Sequence, residues 1–436
     1  MKKRSIIAAV AAMGLVTGLV ACAPAEESGP VELLIWDTGL LAKTNEDGTA
    51  ADNSFLDAAV ALYEEENPNV TIKIQQQGGD ISTNAAQFEA ASIAGNGPDI
   101  RIQFTGGPTL SFSDFFLDLS DTFSEDVRND LTGWNTVQED YNPDGALYGL
   151  PYGSGTYFTV FVNHDLVEAA GMDPNYVPET WEDMLAMGAE YKEKSGGQNP
   201  FWVANLEGYV GAWVIGALAG GELGPDGFTA QYRGDAPIDS PEMIKAYQAW
   251  ADFYASGLTN PDAGEVSNGD STAGYLQGKG AYYIVGMWED VNMYEAFGDR
   301  VSSFFIPVLD GAKYPSVAAG GPVQALSITN YSKHQEEAKD FLRFLAQPEI
   351  QDMYVEMTQV EPSNSRSADP SVIQNPLLQA QAAELQEVGD LIYPFDNVMP
   401  QAVIDLFYRV NASVFLGTTT PEDAVAQLQT AFDSAQ

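Results

Sequence analysis

The side chains of this sequence that could bind a small molecule follow its predicted strands. Trp36 and Asp37 end the first strand, Gln76 ends the second, and Gln103 and Phe104 end the third. The carboxyl ends of parallel strands meet at one edge of a sheet, where such folds hold ligands. Flat rings cover apolar C–H faces, whereas amides and carboxylates pair with hydroxyl groups. Alternatives stay open, since Trp36 and Phe104 also suit a core and Gln76 also suits a solvated turn.

Further candidates for ligand contact lie in the second half of the chain. Trp288 and Glu289 follow directly on a predicted strand. Gly321 has no side chain, so a ligand can approach the backbone there. The other candidates are Tyr152, Trp202, Glu207, Tyr209, Trp213 and Tyr393, the last with Phe395 and Asp396 beside it. Most of the 7 Trp, 20 Tyr and 21 Phe must serve the core.

Motifs for known catalytic chemistry do not occur in the sequence. There is no G-x-S-x-G, no H-E-x-x-H and no phosphate-binding loop, because Gly274 to Gly280 has the wrong spacing. One cysteine and two histidines exclude a disulfide framework and a Cys/His zinc cluster. No cofactor or metal is indicated, although calcium on the acidic surface stays open. A surface-anchored glycosidase with two catalytic carboxylates also stays open. With 62 acidic residues, the sequence neither singles out nor excludes a catalytic pair.

Composition and charge narrow the class of protein. The chain of 436 residues is 45% hydrophobic, which is long and apolar enough for two cores. Its formal net charge of −43 repels phosphate backbones and anionic lipids, so we expect no nucleic-acid partner. The acidity has two explanations, a salty habitat or a bias common to secreted proteins, and the sequence does not choose between them.

The first thirty residues predict export and anchoring. A basic start and an apolar stretch predict a signal peptide over residues 1–21, too short to span a membrane. The tetrapeptide from Leu19 to Cys22 resembles a bacterial lipobox, which implies lipidation of Cys22. The alternative is an ordinary cleaved signal with a stray cysteine. Residues 22–30 are small and polar and predict a flexible tether. We therefore expect an extracytoplasmic protein that touches the membrane through its lipid anchor only.

The body alternates predicted strands and helices. Apolar runs predict strands over 31–36, 70–74 and 98–104, with helices at about 54–66 and 84–94 between them. This order favours a parallel sheet with helical crossovers. The pattern restarts after Pro151, with a strand near 157–163. Further strands are predicted at 281–285, 304–306 and 324–328, and the caps Thr180, Ser240, Ser332 and Thr420 open helices.

The ordered set of motifs resembles the family 1 extracellular solute-binding proteins of ABC importers, the maltose-binding-protein class. The resemblance covers nearly the whole mature chain, with His164 standing where that family usually has Lys. Five stretches carry it: Asn96–Ile100, Leu147–Tyr152 with Phe161–Leu166, Pro178–Leu185, Gly278–Trp288 and Ser332–Ala338.

The resemblance implies an α/β, two-lobe periplasmic-binding-protein-like (type II) fold with a hinge and an interlobe ligand cleft. By analogy, the lobes are residues 31–150 plus 307–330 and residues 151–306 plus 331–436. The implied function is a monomeric, non-enzymatic lipoprotein that captures a neutral mono- or oligosaccharide for ABC permease subunits. The family's G-x-W tryptophan stacks on ligand, which implies that role for Trp288, and Tyr209 and Trp213 fall where the family often places a sugar-facing ring.

Overall fold

The computed structural model describes residues 29–43, 50–52, 54–78, 81–360 and 372–435. The predicted signal peptide, Cys22 and nearly all of the tether lie outside the described residues. Within the described ranges, no helix combines the length and the apolar character needed to cross a bilayer.

The described residues form nine strands joined by hydrogen bonds, seven of them in one path and two beside it. The path runs β2-β1-β3-β8-β4-β6-β5, with β7 on β4 and β9 on β8. The predicted parallel arrangement of the first three strands is confirmed, since β1 pairs in parallel with both β2 and β3. The strands are β1 (Val31–Asp37), β2 (Val70–Gln76), β3 (Ile100–Phe104), β4 (Leu150–Asn163), β5 (Phe201–Trp202), β6 (Tyr282–Gly286), β7 (Val301–Phe305), β8 (Val317–Ile328) and β9 (Asp390–Ile392).

Helices cover both halves of this path. Many begin at the caps expected from sequence, because a Ser or Thr oxygen can accept an N–H of the first turn. Thr180 accepts from Asp183 and Ser240 accepts from Met243. The helices are α1 (Phe55–Glu66), α2 (Ile81–Ile93), α3 (Gly107–Leu110), α4 (Glu125–Asp130), α5 (His164–Ala169), α6 (Trp181–Lys194), α7 (Tyr209–Tyr232), α8 (Pro241–Ala255), α9 (Asn268–Leu276), α10 (Asp290–Phe297), α11 (Gln335–Leu345), α12 (Pro348–Thr358), α13 (Pro376–Glu387), α14 (Phe395–Val398), α15 (Gln401–Phe415) and α16 (Pro421–Ala435).

Buried apolar side chains gather in two clusters, one at each end of the strand path. The first cluster collects side chains of β1, β3, α1, α11 and α12. The second collects side chains of β6, α7, α8 and α15. Apolar burial is the main stabilising term of a domain, so each cluster is a core in its own right.

Two long strands run through both halves. The start of β4 pairs with β8 from Leu150, and its end pairs with β6 and β7 up to Asn163. Strand β8 pairs with β3 at one end and with β9 at the other. Together, β4 and β8 therefore connect the two clusters covalently.

Two features differ from the sequence-based expectation. Helices α11 and α12 pack in the first cluster, through Phe341 and Tyr354, although the predicted ranges group them with the second half. Their apolar faces complete the packing around Phe55 and Tyr63, which are distant in sequence. Helix α7 was not predicted at its full length, and Gly224, at a φ of 67°, breaks it before Pro225.

Candidate functional site

A cavity with an aromatic wall lies where the two clusters face each other. Its volume is about 370 Å³, and we call it the main cavity. Phe104 and Val323 line it from the first half of the path, while Trp213 and Trp288 line it from the second. Residues Gln401 to Tyr408 on α15 close a further side. A concave site of this size with flat rings and few polar groups is a typical ligand pocket.

Trp288 is positioned by a short turn and two aromatic neighbours. It lies in the 3₁₀ helix Met287–Glu289 that follows β6 directly. Its ring centroid is 5.1 Å from that of Trp213 at an interplanar angle of 75°, and 6.2 Å from that of Phe158. Trp213 in turn stacks on Phe158 at 5.3 Å. Trp288 itself is only half-buried and lines the cavity, so part of its ring stays accessible there.

A carboxyl and a phenol form the polar corner of the main cavity. Tyr408 on α15 donates to one Asp396 carboxylate oxygen at 3.4 Å. The other oxygen, Oδ1, is buried and has no hydrogen-bond partner among the described residues. Burial raises the pKa of Asp396 to about 7. The ring of Tyr209 packs edge-on against Tyr408 at 4.7 Å and fixes the corner.

An amide adds to the polar lining of the main cavity. Gln324 on β8 is half-buried, and its Oε1 atom is buried without a partner among the described residues. A Cβ at Gly153 would lie 1.5 Å from this oxygen, so the glycine makes room for the amide. A buried acceptor without a partner costs free energy, which a donor from a ligand would recover.

A second, smaller cavity of about 230 Å³ lies beside the first; we call it the side pocket. Phe104, Pro108, Tyr209 and Gln401 line both spaces, so the two are adjacent. Its far end is polar. The residues there are Thr38, Asn84, Arg101 and Gln103.

Several residues proposed from sequence come together here. Phe104, Tyr209, Trp213 and Trp288 line the main cavity, and Gln103 lines the side pocket. They come from three separate elements: β3, α7, which contributes two residues, and the turn after β6. Their roles in ligand contact stay predictions, but the fold places them around one space.

Three other candidates lie in the cores instead of facing ligand. The Asp37 carboxylate is fully buried and accepts backbone N–H groups of the following turn, with Ala42 at 2.8 Å. Tyr152 is fully buried and stacks on Phe55 at 5.7 Å. Trp202 is buried, and its indole N–H donates to the Ser271 carbonyl at 2.8 Å.

The remaining candidates line neither cavity. Their own contacts account for them. Gln76 donates to the Ala42 carbonyl, Glu207 accepts from the Asn268 backbone, Glu289 accepts from Asn292, Trp36 is half-buried, and the Tyr393 ring packs over Gly321.

Sequence reasoning missed the contributions of α15 and of one strand residue. Tyr408, Gln401 and Ile404 reach the main cavity only because α15 packs across from distant parts of the chain. The sequence around Arg101 does contain a local signal that this residue has a functional role. It is a charged residue between Ile100 and Ile102 in a strand predicted to be buried, and such charges are rare without a purpose.

Comparison with known proteins identifies the family. Residues 58–380 match the family model described as bacterial extracellular solute-binding protein, which is most of the chain. The chain belongs to this family. This solute-binding protein is also 25% identical over 227 residues to the sn-glycerol-3-phosphate-binding periplasmic protein UgpB of Escherichia coli strain K12, covering 49% of this chain. The chain spans about half the length, 51%, of that curated relative.

Solved structures share the fold along nearly the whole chain. A chitin oligosaccharide binding protein matches with a TM-score of 0.75 at 20% identity, over 93% of this chain and 98% of the other. The cyclic alpha-maltosyl-1,6-maltose binding protein of Arthrobacter globiformis matches with a TM-score of 0.71 at 20% identity, over 93% and 99%. The predicted two-lobe α/β fold and the predicted solute-binding family are thus confirmed for this solute-binding protein.

Proposed function

We propose that this protein captures a saccharide in the main cavity and delivers it to the permease subunits of an ABC importer. The proposal rests on one observation: the cavity contains both aromatic rings and hydrogen-bond acceptors that have no partner among the described residues. Trp288 offers a ring face, while Asp396 and Gln324 each hold a buried oxygen without a partner among the described residues. A sugar ring presents C–H faces to the first kind of group and hydroxyl donors to the second.

The size and charge of the main cavity favour uncharged sugar units within it. Its lining contains one carboxyl, Asp396, and no lysine or arginine among the described residues. The structural relatives named above are an oligosaccharide-binding and a cyclic-maltosyl-maltose-binding protein, which supports an oligosaccharide. The adjacent side pocket gives room for more than one ring.

Lobe closure would couple capture to delivery. We assign the two apolar clusters to two lobes, with β4 and β8 as the connecting strands. A ligand that contacts Phe104 on one side and Trp288 on the other stabilises the closed form by its greater affinity for it. The closed monomer, held near the membrane by lipid on Cys22, would then dock on the permease. Replacing Cys22 by Ser should release the protein from the membrane fraction.

A glycosidase remains the alternative that the site must be tested against. Hydrolysis of this kind uses two carboxyl groups on either side of the bond. The described lining of the main cavity supplies only Asp396, which favours binding without cleavage.

A calorimetric and thermal-shift screen of mono- and oligosaccharides, both neutral and acidic, tests the proposal. A true ligand at a hundredfold excess over its Kd should raise the free energy of unfolding by about 2.7 kcal/mol. Recovery of the intact sugar after incubation supports binding, and recovery of cleaved sugar would favour the glycosidase. If no sugar changes the melting temperature, the proposal fails.

A further inference from the structure

The far end of the side pocket contains a buried arginine. The Arg101 side chain on β3 is only 4% exposed, and its guanidinium carbon lies 4.0 Å from the ring centroid of Phe88 and 4.8 Å from that of Phe112. The two rings hold the guanidinium in place by cation–π contact. They do not use its N–H donors, which lie in the plane of the group.

This arginine lacks a counter-ion. It makes no ion pair with a carboxylate among the described residues. Its Nη1 atom is buried with no hydrogen-bond partner in the same part of the chain. Burial lowers the pKa of Arg101 to about 9, so the group stays cationic at neutral pH. An unpaired buried charge is costly, and the chain has 62 acidic residues from which a partner could have been drawn.

The side-chain amide of Gln103, on the same strand as Arg101, is fixed by two hydrogen bonds. Gln103 is 2% exposed, and its Nε2 donates to the hydroxyls of Thr109 at 3.1 Å and Ser327 at 3.0 Å. Its Oε1 is buried without a partner among the described residues. Arg101 and Gln103 are two residues apart on one strand, so both side chains lie on the same face. The opposite face carries Ile100 and Ile102 into the first core.

We propose that the side pocket binds an oxyanion of the ligand through Arg101, so that the solute is an acidic saccharide. The inference rests on the proposed function and names the class of sugar. Neutral units occupy the main cavity, and a carboxylate or phosphate at one end reaches Arg101 past Phe104 and Tyr209. The planar guanidinium matches either group with two parallel hydrogen bonds, and Gln103 accepts from an adjacent hydroxyl.

The acidic surface does not prevent this. Its repulsion acts over the Debye length of about 8 Å at physiological ionic strength, whereas the buried pair forms at contact distance and is screened little. Added salt should therefore raise the association rate of an acidic ligand and leave its dissociation rate nearly unchanged.

Matched ligand pairs test the proposal by calorimetry on the purified protein. One arm compares a galacturonate trimer with its carboxyl-reduced, neutral counterpart. A second arm compares sn-glycerol 3-phosphate with glycerol, and glucose 6-phosphate with glucose, which separates phosphate from carboxylate. In one of these arms the charged member should bind at least about tenfold tighter than its neutral partner, as expected for a buried charge-assisted pair.

Variants assign the preference to the side pocket. Arg101→Met should abolish the preference for the charged member and change the affinity of the neutral member less than twofold, while Arg101→Lys should retain part of it. Arg128→Met is the matched control, because Arg128 lies 4.7 Å from the ring of Trp134 and lines neither cavity. It should leave the preference intact. If Arg101→Met does not fold, the comparison of charged and neutral ligands on the unchanged protein still decides.

The outcomes separate this inference from the proposed function. Neutral sugars that bind as tightly as their charged partners, or a preference that survives in Arg101→Met, would overturn the acidic class and leave saccharide capture standing. Binding of sn-glycerol 3-phosphate that depends on Arg101, with no binding of any sugar, would support the oxyanion site and overturn saccharide capture.

Discussion

Tyr408 and Asp396 share a hydrogen bond of 3.4 Å at the inner corner of the main cavity, and it leaves one carboxylate oxygen buried without a partner among the described residues. The pair joins α15 to the short helix α14, so it holds this corner of the site together. A carboxyl in this position changes both the stability of the apo protein and its affinity for hydroxyl donors.

The first prediction concerns the pH dependence of stability. Burial raises the pKa of Asp396 to about 7, whereas the unfolded chain releases this proton near pH 4. Between these values the folded protein binds more protons than the unfolded chain, so this group makes the free energy of unfolding fall as the pH rises from about 4 to 7. Asp396→Asn should remove that loss and raise the free energy of unfolding at pH 8 by up to about 4 kcal/mol, since each pKa unit corresponds to about 1.4 kcal/mol. Urea unfolding at pH 5 and pH 8 measures it.

The control substitution for that experiment is at Asp405, which lies one turn from Tyr408 on α15. Asp405→Asn on α15 removes a carboxyl that accepts from Gln401 and should leave the pH profile unchanged. Equal effects of the two substitutions would show that the profile does not report on Asp396.

The second prediction separates a ligand-facing indole from a core indole. Trp288→Ala should weaken saccharide binding at least about tenfold, because the ring face lost is one that the ligand covers. Trp202→Phe should instead lower the melting temperature and leave the Kd unchanged, since it breaks a buried hydrogen bond to Ser271. Calorimetry and thermal melts of both variants provide the comparison. A Trp202 variant with the larger loss of affinity would reverse the assignment.

The third prediction tests the structural role found for Asp37. Its carboxylate satisfies buried N–H groups of Leu40, Leu41 and Ala42, so Asp37→Ala should destabilise the protein by about 1–3 kcal/mol. The affinity for ligand should not change. Asp173→Ala is a matched control, because this exposed carboxylate accepts from the Asn175 backbone in a surface turn and should cost about 0.5 kcal/mol or less.

Features of the fold and the site that depend on neighbouring residues could be predicted from the sequence. Features that depend on contacts between distant residues could not. Strands and several helix caps were predictable, because the alternation in Val70 to Ile74 and a cap such as Thr180 are local signals. Asp37 shares a strand face with the buried Ile35, so the alternation of side chains predicts that Asp37 is buried as well. Its position at the end of the strand instead led to the prediction that it contacts ligand. Tyr408 had no local signal, because only the packing of α15 brings it to the cavity.

Buried indoles show the same limit. Trp202 ends a strand as Trp36 does, and nothing near it in the sequence indicates that it is buried. The ring is enclosed because Gly274, which is distant in sequence, leaves room for it, and Gly280 lets the chain pass close to the Trp202 backbone. Close approach of this kind is a tertiary property, whereas the Gly286–Trp288 spacing is local and did point to the site.

The fourth prediction uses that spacing. Gly286 has a φ of −95°, which any residue adopts, so only space limits a side chain there. A Cβ at this position would lie 1.8 Å from the Trp288 ring, and the indole would have to rotate away from Trp213. Gly286→Ala should therefore reduce saccharide affinity and shift the tryptophan fluorescence of the apo protein. Gly269→Ala on α9, where a Cβ finds no atom nearer than 3.9 Å, should change neither. Unchanged affinity in Gly286→Ala would mean that the orientation of Trp288 does not govern binding.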